Sequence, residues 1–510
     1  MLPPKHLDST SDTALAAALT VASLLLWFGL GFPWAHHNES LVWIADMAGR
    51  PLADAFSAYP IRPVQSWRPL GVAEAWFGWA ATGDIWLQQL LNFLVTAAAW
   101  WLALRATAAR MAFGFAALVT LAGFFSPYIY LFHLHGVFYG PLLLFQAWLL
   151  VRERQPIDLG WRATAVVFTA GAVAMLFHTF GFLFYAAFLG AAWLEASWRG
   201  RRIAPLLPTL AAMAIGVVFV KLSVAASTDI GTADVLLGLL TSYRALELNA
   251  LLSGLAAALA IIAAVVAGLG SGRSRIVLFA ALAAALSLAL FAAGLPVVLG
   301  WIAITALRAL AGLRLRMAAL IGLGALLPAA TSTGSPTYTV FVVMPCLLMT
   351  VDGLIAPASW RMRLRGLAIA ALSATAALLL LLRLGVPVPI VDKLAQPLRA
   401  EGEKTHQLRA ALEWLLAQPD ARGQTLMCTS AEFPIRAGHP LDRHYRAPTG
   451  DWVLAQYLLQ RTGERLGVST GTLYKLCFGD QVPDEAGAER LQAWPGRWAG
   501  EAAWYRLPPS

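Results

Sequence analysis

Charge is almost absent from the 369 positions between Ala14 and Leu382 except in short basic clusters, and those clusters recur after alternate apolar segments. They are Arg105 and Arg110, Arg152 with Arg154 and Arg162, Arg199 with Arg201 and Arg202, Arg273 and Arg275, Arg308 with Arg314 and Arg316, and Arg361 with Arg363 and Arg365. Lys and Arg are retained on the cytoplasmic side of a bacterial-type membrane, so an every-second-loop rhythm sets both the spans and their orientation. The pattern predicts a polytopic membrane protein. Hydrophobic residues make up 59% of the chain and charged residues 13%, which suits a bilayer better than water. Arginines in short cytoplasmic turns account for the net charge of +9 through topology and membrane-lipid headgroups, so no nucleic-acid partner is implied.

The first apolar run, Ala14 to Trp34, is long enough to span, and no small-residue cleavage site follows it. Further spans are predicted at Ile85–Leu104, Met111–Phe125, Ile129–Val151, Ala163–Phe177, Phe180–Ala192, Ala204–Val224, Leu251–Leu269, Ile276–Ala293, Val297–Leu307, Met317–Ala330, Tyr338–Ile355 and Leu367–Leu382. That gives about 13 transmembrane helices, some shorter than the roughly 20 residues of a full crossing. The pair divided at His178-Thr179 and the segment after Gly294-Leu295-Pro296 are therefore predicted to be re-entrant or broken.

An odd number of spans with a cytoplasmic N-terminus leaves everything after Arg383 outside, periplasmic in a Gram-negative cell. The fold class expected is an all-α polytopic membrane domain over residues 1–384, carrying an outer loop at 35–84. A small extracytoplasmic α/β soluble domain follows over 385–510. Within it, Thr405–Gln418 reads as an amphipathic helix, Gln424–Thr429 as a strand, Trp452–Leu459 as a helix and Ala503–Leu507 as a closing strand. Cys428 and Cys477 fall in that domain, where an oxidising compartment permits a disulfide; Cys346 falls in a span. A zinc site from Cys428, His439 and His444 would lack the paired spacing such sites use.

The outer loop is far longer than the usual connection between helices, and long loops of this kind carry function. It holds His36-His37-Asn38-Glu39, Asp46, Arg62 and Ser66-Trp67-Arg68-Pro69-Leu70 before a tryptophan-rich stretch, and it is expected to lie along the outer membrane surface. With His133, His135, His178 and Lys221, these groups all map to the outer side. Glu39 reads as a catalytic carboxylate or as a solvated helix cap, with Asp46 the fallback. Arg68 and Arg62 read as phosphate ligands or interfacial anchors. His133 and His135 are two residues apart and so face different sides of a regular helix. Lys221 can snorkel or offset donor charge. The polar loop Thr331–Tyr338 is a further outer element.

An acidic residue after the first span, the Arg68-Pro69-Leu70 tripeptide, Leu91-Asn92 and the turn Tyr130-Leu131-Phe132-His133-Leu134-His135 together resemble the N-terminal module of GT-C glycosyltransferases that use polyprenyl-phosphate-linked sugars. The resemblance covers about the first 150 residues. Many members carry paired acids after the first span, whereas this chain has the single Glu39 in His37-Asn38-Glu39. The resemblance implies an inverting transfer of one sugar to a glycan, lipid or protein acceptor on the outer face of the inner membrane. Glu39 would be the base, and Arg68, His133, His135, Lys221 and Arg62 would hold the donor phosphate. No metal ligand set is evident, although a divalent metal is compatible with the chemistry. A transporter or flippase, or a polymerase or ligase of lipid-linked oligosaccharides, would share the topology.

Overall fold

An apolar segment withdrawn from water must satisfy its own backbone groups, and a helix does so within one segment. The computed structural model describes residues 69–82, 136–155, 161–178, 180–199, 250–268, 273–330, 336–351, 425–427, 474–479, 486–497 and 500–508, with scattered positions besides. These residues are mostly helical, with a small sheet near the C-terminus. The helices are α1 (Pro69–Thr82), α2 (Gly136–Glu153), α3 (Trp161–Phe177), α4 (Phe180–Trp198), α5 (Ala250–Gly268), α6 (Arg273–Ala292), α7 (Val298–Ala311), α8 (Leu315–Leu326) and α9 (Val340–Val351). Two compact units divide the chain: Phe138–Ala377 belongs to the first, whereas Leu24–Asn92 and Leu378–Ser510 belong to the second.

In the first unit α3 packs on α4, α4 on α8, α8 on α9, and α5 on α6 and α7. Among the described residues, two helices are long and apolar enough to cross a membrane, Phe180–Trp198 and Ser274–Ala292. The expected series of about 13 spans, some shorter than a full crossing, is not confirmed there. With 14 and 12 residues, α7 and α8 extend only about 21 and 18 Å, short of a bilayer core of about 30 Å. The two candidate spans differ in setting: α4 is 61% buried, whereas the α6 window is 11% buried. Val277, Leu282, Leu288 and Phe291 of α6 are all more than half exposed.

The α3–α4 pair departs from the expected short hairpin. Its second helix runs to Trp198, past the predicted end at Ala192, because Glu195 is neutralised in place by Arg316 and Arg199 at 3.2 and 2.8 Å. The chain reverses at His178 and Gly181. A Cβ at Gly181 would fall within 2.6 Å of the Met175 amide nitrogen, so the tightness of this turn requires glycine.

A second detail links α2, α8 and α9. Pro345 lies inside α9 and has no N–H, which leaves the Phe341 carbonyl without its normal helical donor. Gln146, fully buried in α2, donates its Nε2 to that oxygen at 2.6 Å. Gly324 of α8 passes so close that a Cβ there would collide with the same carbonyl. Gln146→Leu should therefore lower stability by about 1 kcal/mol, the scale of an interhelical hydrogen bond in a membrane. The loss should shrink in a Pro345→Ala background, where residue 345 regains an N–H. Equal losses of melting temperature in both backgrounds would refute this coupling.

Arginines close the carboxyl-terminal ends of several helices, where backbone carbonyls have no partner within the helix. Arg316 donates to the Arg152 carbonyl in the last turn of α2 and to the Gln155 carbonyl just beyond it, Arg308 to the Met349 carbonyl in α9, and Arg199 to the Leu313 carbonyl after α7. Arg314 grips Glu153 with two nitrogens at 2.9 and 2.6 Å. The basic clusters of α2, α4, α7 and α8 thus meet at one end of the unit.

In the second unit, β1 (Thr425–Met427), β2 (Tyr474–Phe478), β3 (Glu489–Trp494) and β4 (Ala502–Arg506) form a sheet of order β1-β2-β4-β3. The β1–β2 pair is parallel and the others are antiparallel, with an irregularity between Arg490 and Gln492. The predicted strands at Gln424–Thr429 and Ala503–Leu507 correspond to β1 and β4; β2 and β3 were not predicted. The described residues of 403–414 are helical, and the Ala411 carbonyl accepts the Trp504 indole N–H at 2.8 Å. Gln407 spans the Trp494 and Gly500 carbonyls at 3.0 and 2.8 Å, joining that helix to the turn between β3 and β4.

Candidate functional site

Opposite the arginine-rich end, α2 begins, α3 meets α4, and a 3-10 turn at Pro336–Thr339 leads into α9. Tyr139, His178, Phe180 and Tyr338 come together here. The Tyr139 and Tyr338 hydroxyls are hydrogen-bonded at 2.8 Å. The His178 ring lies 5.2 Å from the Tyr139 ring and 4.5 Å from Phe180, and the two tyrosine rings meet edge to face at 5.3 Å. His178 is 1% exposed and Tyr139 4%.

Local geometry selects the state of the imidazole. The Phe180 backbone N–H donates to His178 Nδ1 at 3.2 Å, so the neutral ring carries its proton on Nε2. The histidine is therefore a hydrogen-bond donor at Nε2. Beside it lie two phenolic oxygens, one of whose protons is taken up by the hydrogen bond between them. Among the described residues, no carboxylate belongs to the cluster.

Two neighbouring residues secure the same end of the unit. Tyr243, fully buried, donates its hydroxyl to the Ala325 carbonyl at 2.8 Å near the end of α8. Arg244 donates to the Gly294 carbonyl at 2.6 Å in the turn between α6 and α7. Gly294 has φ +66°, so the Gly294-Leu295-Pro296 break predicted from sequence is a left-handed turn.

In the second unit, α1 directly follows Arg68 and carries Glu74. Burial pushes the Glu74 carboxyl up to about 8, so at neutral pH it is mainly the protonated acid. A carboxylic acid held near the working pH can donate or accept a proton in a reaction. The folded state retains this proton between pH 4.5 and about 8, where the unfolded chain has lost it, so stability should fall as pH rises through that window. Glu74→Gln should abolish that dependence in thermal unfolding; an unchanged slope would refute the assignment.

Glu39, Asp46, Arg62, Arg68, His133, His135, Lys221 and Cys428 lie outside the described residues. Of the residues singled out from sequence, the structure brings together His178 and Tyr338, and adds Tyr139 to them. Cys477 is disulfide-bonded and Cys346 is free and buried. The parallel register Met427↔Leu476 brings the end of β1 beside the residue preceding Cys477. Among the described residues no group of three or more His, Cys, Asp or Glu side chains could hold a metal ion.

Comparison of the chain with protein-family models, characterised proteins and solved structures gives no match. The functional reading therefore rests on residues and geometry.

Sequence reasoning missed Glu74, Tyr139, Tyr243 and Arg244. A signal for Tyr139 existed: Tyr139, Gln146 and Glu153 recur every seven residues, which sets them on one face of α2. Glu74 gave no such signal, because its shift arises from burial and not from a motif.

Proposed function

We propose that the protein is a membrane glycosyltransferase that moves one sugar from a polyprenyl-phosphate carrier to a glycan, lipid or protein acceptor at the outer face of a bacterial inner membrane. The observation that carries the reading is the contrast between the ends of the first unit. One end gathers arginines and glutamates, as the cytoplasmic side of an inner-membrane protein does. The other gathers His178, Tyr139 and Tyr338.

Two further observations support it. A 19-residue helix of mean hydropathy 2.3 that is 11% buried would expose a large apolar surface to water, so lipid is its natural surrounding. Cys477 is disulfide-bonded, which fits an oxidising compartment for the C-terminal unit. Helix α1, just after Arg68, belongs to that same unit.

In the proposed reaction the acceptor hydroxyl attacks the anomeric carbon and gives its proton to Glu39. The bond from that carbon to the phosphate oxygen breaks with inversion, and polyprenyl phosphate leaves with the electron pair. Arg68, assisted by Arg62, His133 and His135, neutralises the charge that grows on the phosphate. A guanidinium suits this task because its planar donors match two phosphate oxygens at once. The test is transfer of radiolabelled sugar from polyprenyl-phosphate donors by the purified protein in proteoliposomes. Label reaching an acceptor supports the reading. Donor carried across the bilayer without being consumed would indicate a flippase instead.

A further inference from the structure

We infer that the arginine–glutamate contacts of the first unit form a permanent closure, so that substrate reaches the protein only from the His178–Tyr338 end; this deepens the proposed reading and rests on it. Five helices are tied at the closed end. Glu153 of α2 takes both Arg314 nitrogens, and Glu195 of α4 takes Arg316 and Arg199. Arg316 reaches back to two carbonyls at the end of α2, Arg308 holds the Met349 carbonyl of α9, and Arg314 Nη1 lies 3.2 Å from the Met349 sulfur. The side chains of Glu153 and Glu195 are only 4% and 3% exposed. Drawing these helices apart would strand buried charges in a low-dielectric setting, where an unpaired ion is strongly disfavoured.

The turn between α7 and α8 reinforces this. Leu313 has φ +51° at a position where helices usually end in glycine, with the Leu313 N–H donating to the Leu310 carbonyl and the Arg314 N–H to the Ala309 carbonyl. A leucine held in the left-handed region persists only where its surroundings over-determine it. Here Arg199 binds the Leu313 carbonyl, and Arg314 beside it is clamped to Glu153. Among the described residues, the contacts at the opposite end are ring contacts, a tyrosine hydroxyl pair and hydrogen bonds to carbonyls, one of them from the Arg244 guanidinium. A carrier that alternates access would have to open both ends in turn; this arrangement holds one of them shut.

The experiment uses Trp198→Cys/Leu310→Cys protein, spin-labelled at two exposed positions on α4 and α7 that leave every ion pair intact. The label separation is measured by pulsed EPR in nanodiscs, without and with added polyprenyl phosphate, and sugar transfer is assayed on the same sample. A single distance distribution that polyprenyl phosphate does not alter is the expected result. A second, longer distance appearing with polyprenyl phosphate would overturn the closure, whether or not transfer is seen. Absence of transfer with an unaltered distance would instead reject the enzyme reading and leave the closure standing.

Discussion

Arg316→Ala is expected to be the most damaging single substitution in the described part of the chain. Arg316 is 6% exposed and serves Glu195 and the carbonyls of Arg152 and Gln155. Its removal leaves a carboxylate at 2% exposure with Arg199 as its remaining ion-pair partner among the described residues, and strips two carbonyls at the end of α2 of a donor. Breaking a buried pair from one side costs about 3–5 kcal/mol, a large share of a typical folding free energy. Replacing both partners at once, as Glu195→Gln with Arg316→Met, should recover much of the loss, because no buried charge is then left alone. Arg316→Lys should fall between, since a point charge cannot reach in several directions as a guanidinium does. Apparent melting temperature and recovered monodisperse protein in detergent give the ranking. An Arg316→Ala protein as stable as the parent would show that the end of the bundle is not held by this pair.

The second large effect is expected on activity. In the proposed reaction Glu39→Gln removes the base, and loss of such a group lowers a rate by about 10²- to 10⁴-fold. Arg68→Ala removes a fixed charge at the leaving phosphate, and comparable electrostatic donors are worth about 10²- to 10³-fold. The two should differ in how the loss appears. Glu39→Gln should reduce kcat with little change in the KM for the lipid donor, whereas Arg68→Ala should raise that KM as well, because in the proposed reaction Arg68 would also hold the phosphate in the ground state. Radiolabelled transfer by proteoliposomes across a range of donor concentrations separates them. Variants that transfer sugar as fast as the parent would remove both residues from the site.

How far the sequence could be read differs by element. The apolar periods and the arginine clusters located α3, α5, α6 and α9 closely, because hydrophobic segments and charge boundaries are set locally. They misjudged α4, since Glu195 looks like a terminator until its partners Arg316 and Arg199, one of them far away in the chain, are known. They also gave short segments at Val297–Leu307 and Met317–Ala330, and the helices there, α7 and α8, are 14 and 12 residues long. In the C-terminal unit, β1 and β4 showed apolar runs. By contrast β3, with exposed Glu489, Arg490 and Gln492, is an edge strand and carries a weak pattern. For the candidate cluster, His178 and the polar 331–338 loop stand out in the sequence, but the Tyr139–Tyr338 hydrogen bond joins residues 199 positions apart and leaves no local trace. The pairing of Pro345 with Gln146 was hidden for the same reason: each residue alone looks like an irregularity in an apolar helix.

The central claim is that the unit has one cytoplasmic end and one external end. Leu295, in the turn beside Gly294, and Leu313, in the turn among the arginines, are both 40% exposed and occupy opposite ends of α7. Cysteine placed singly at each position, probed in intact cells with a membrane-impermeant maleimide, tests that claim directly. The account predicts labelling at position 295 in intact cells and at position 313 only after permeabilisation. Labelling at 313 in intact cells, alone or together with 295, would contradict it.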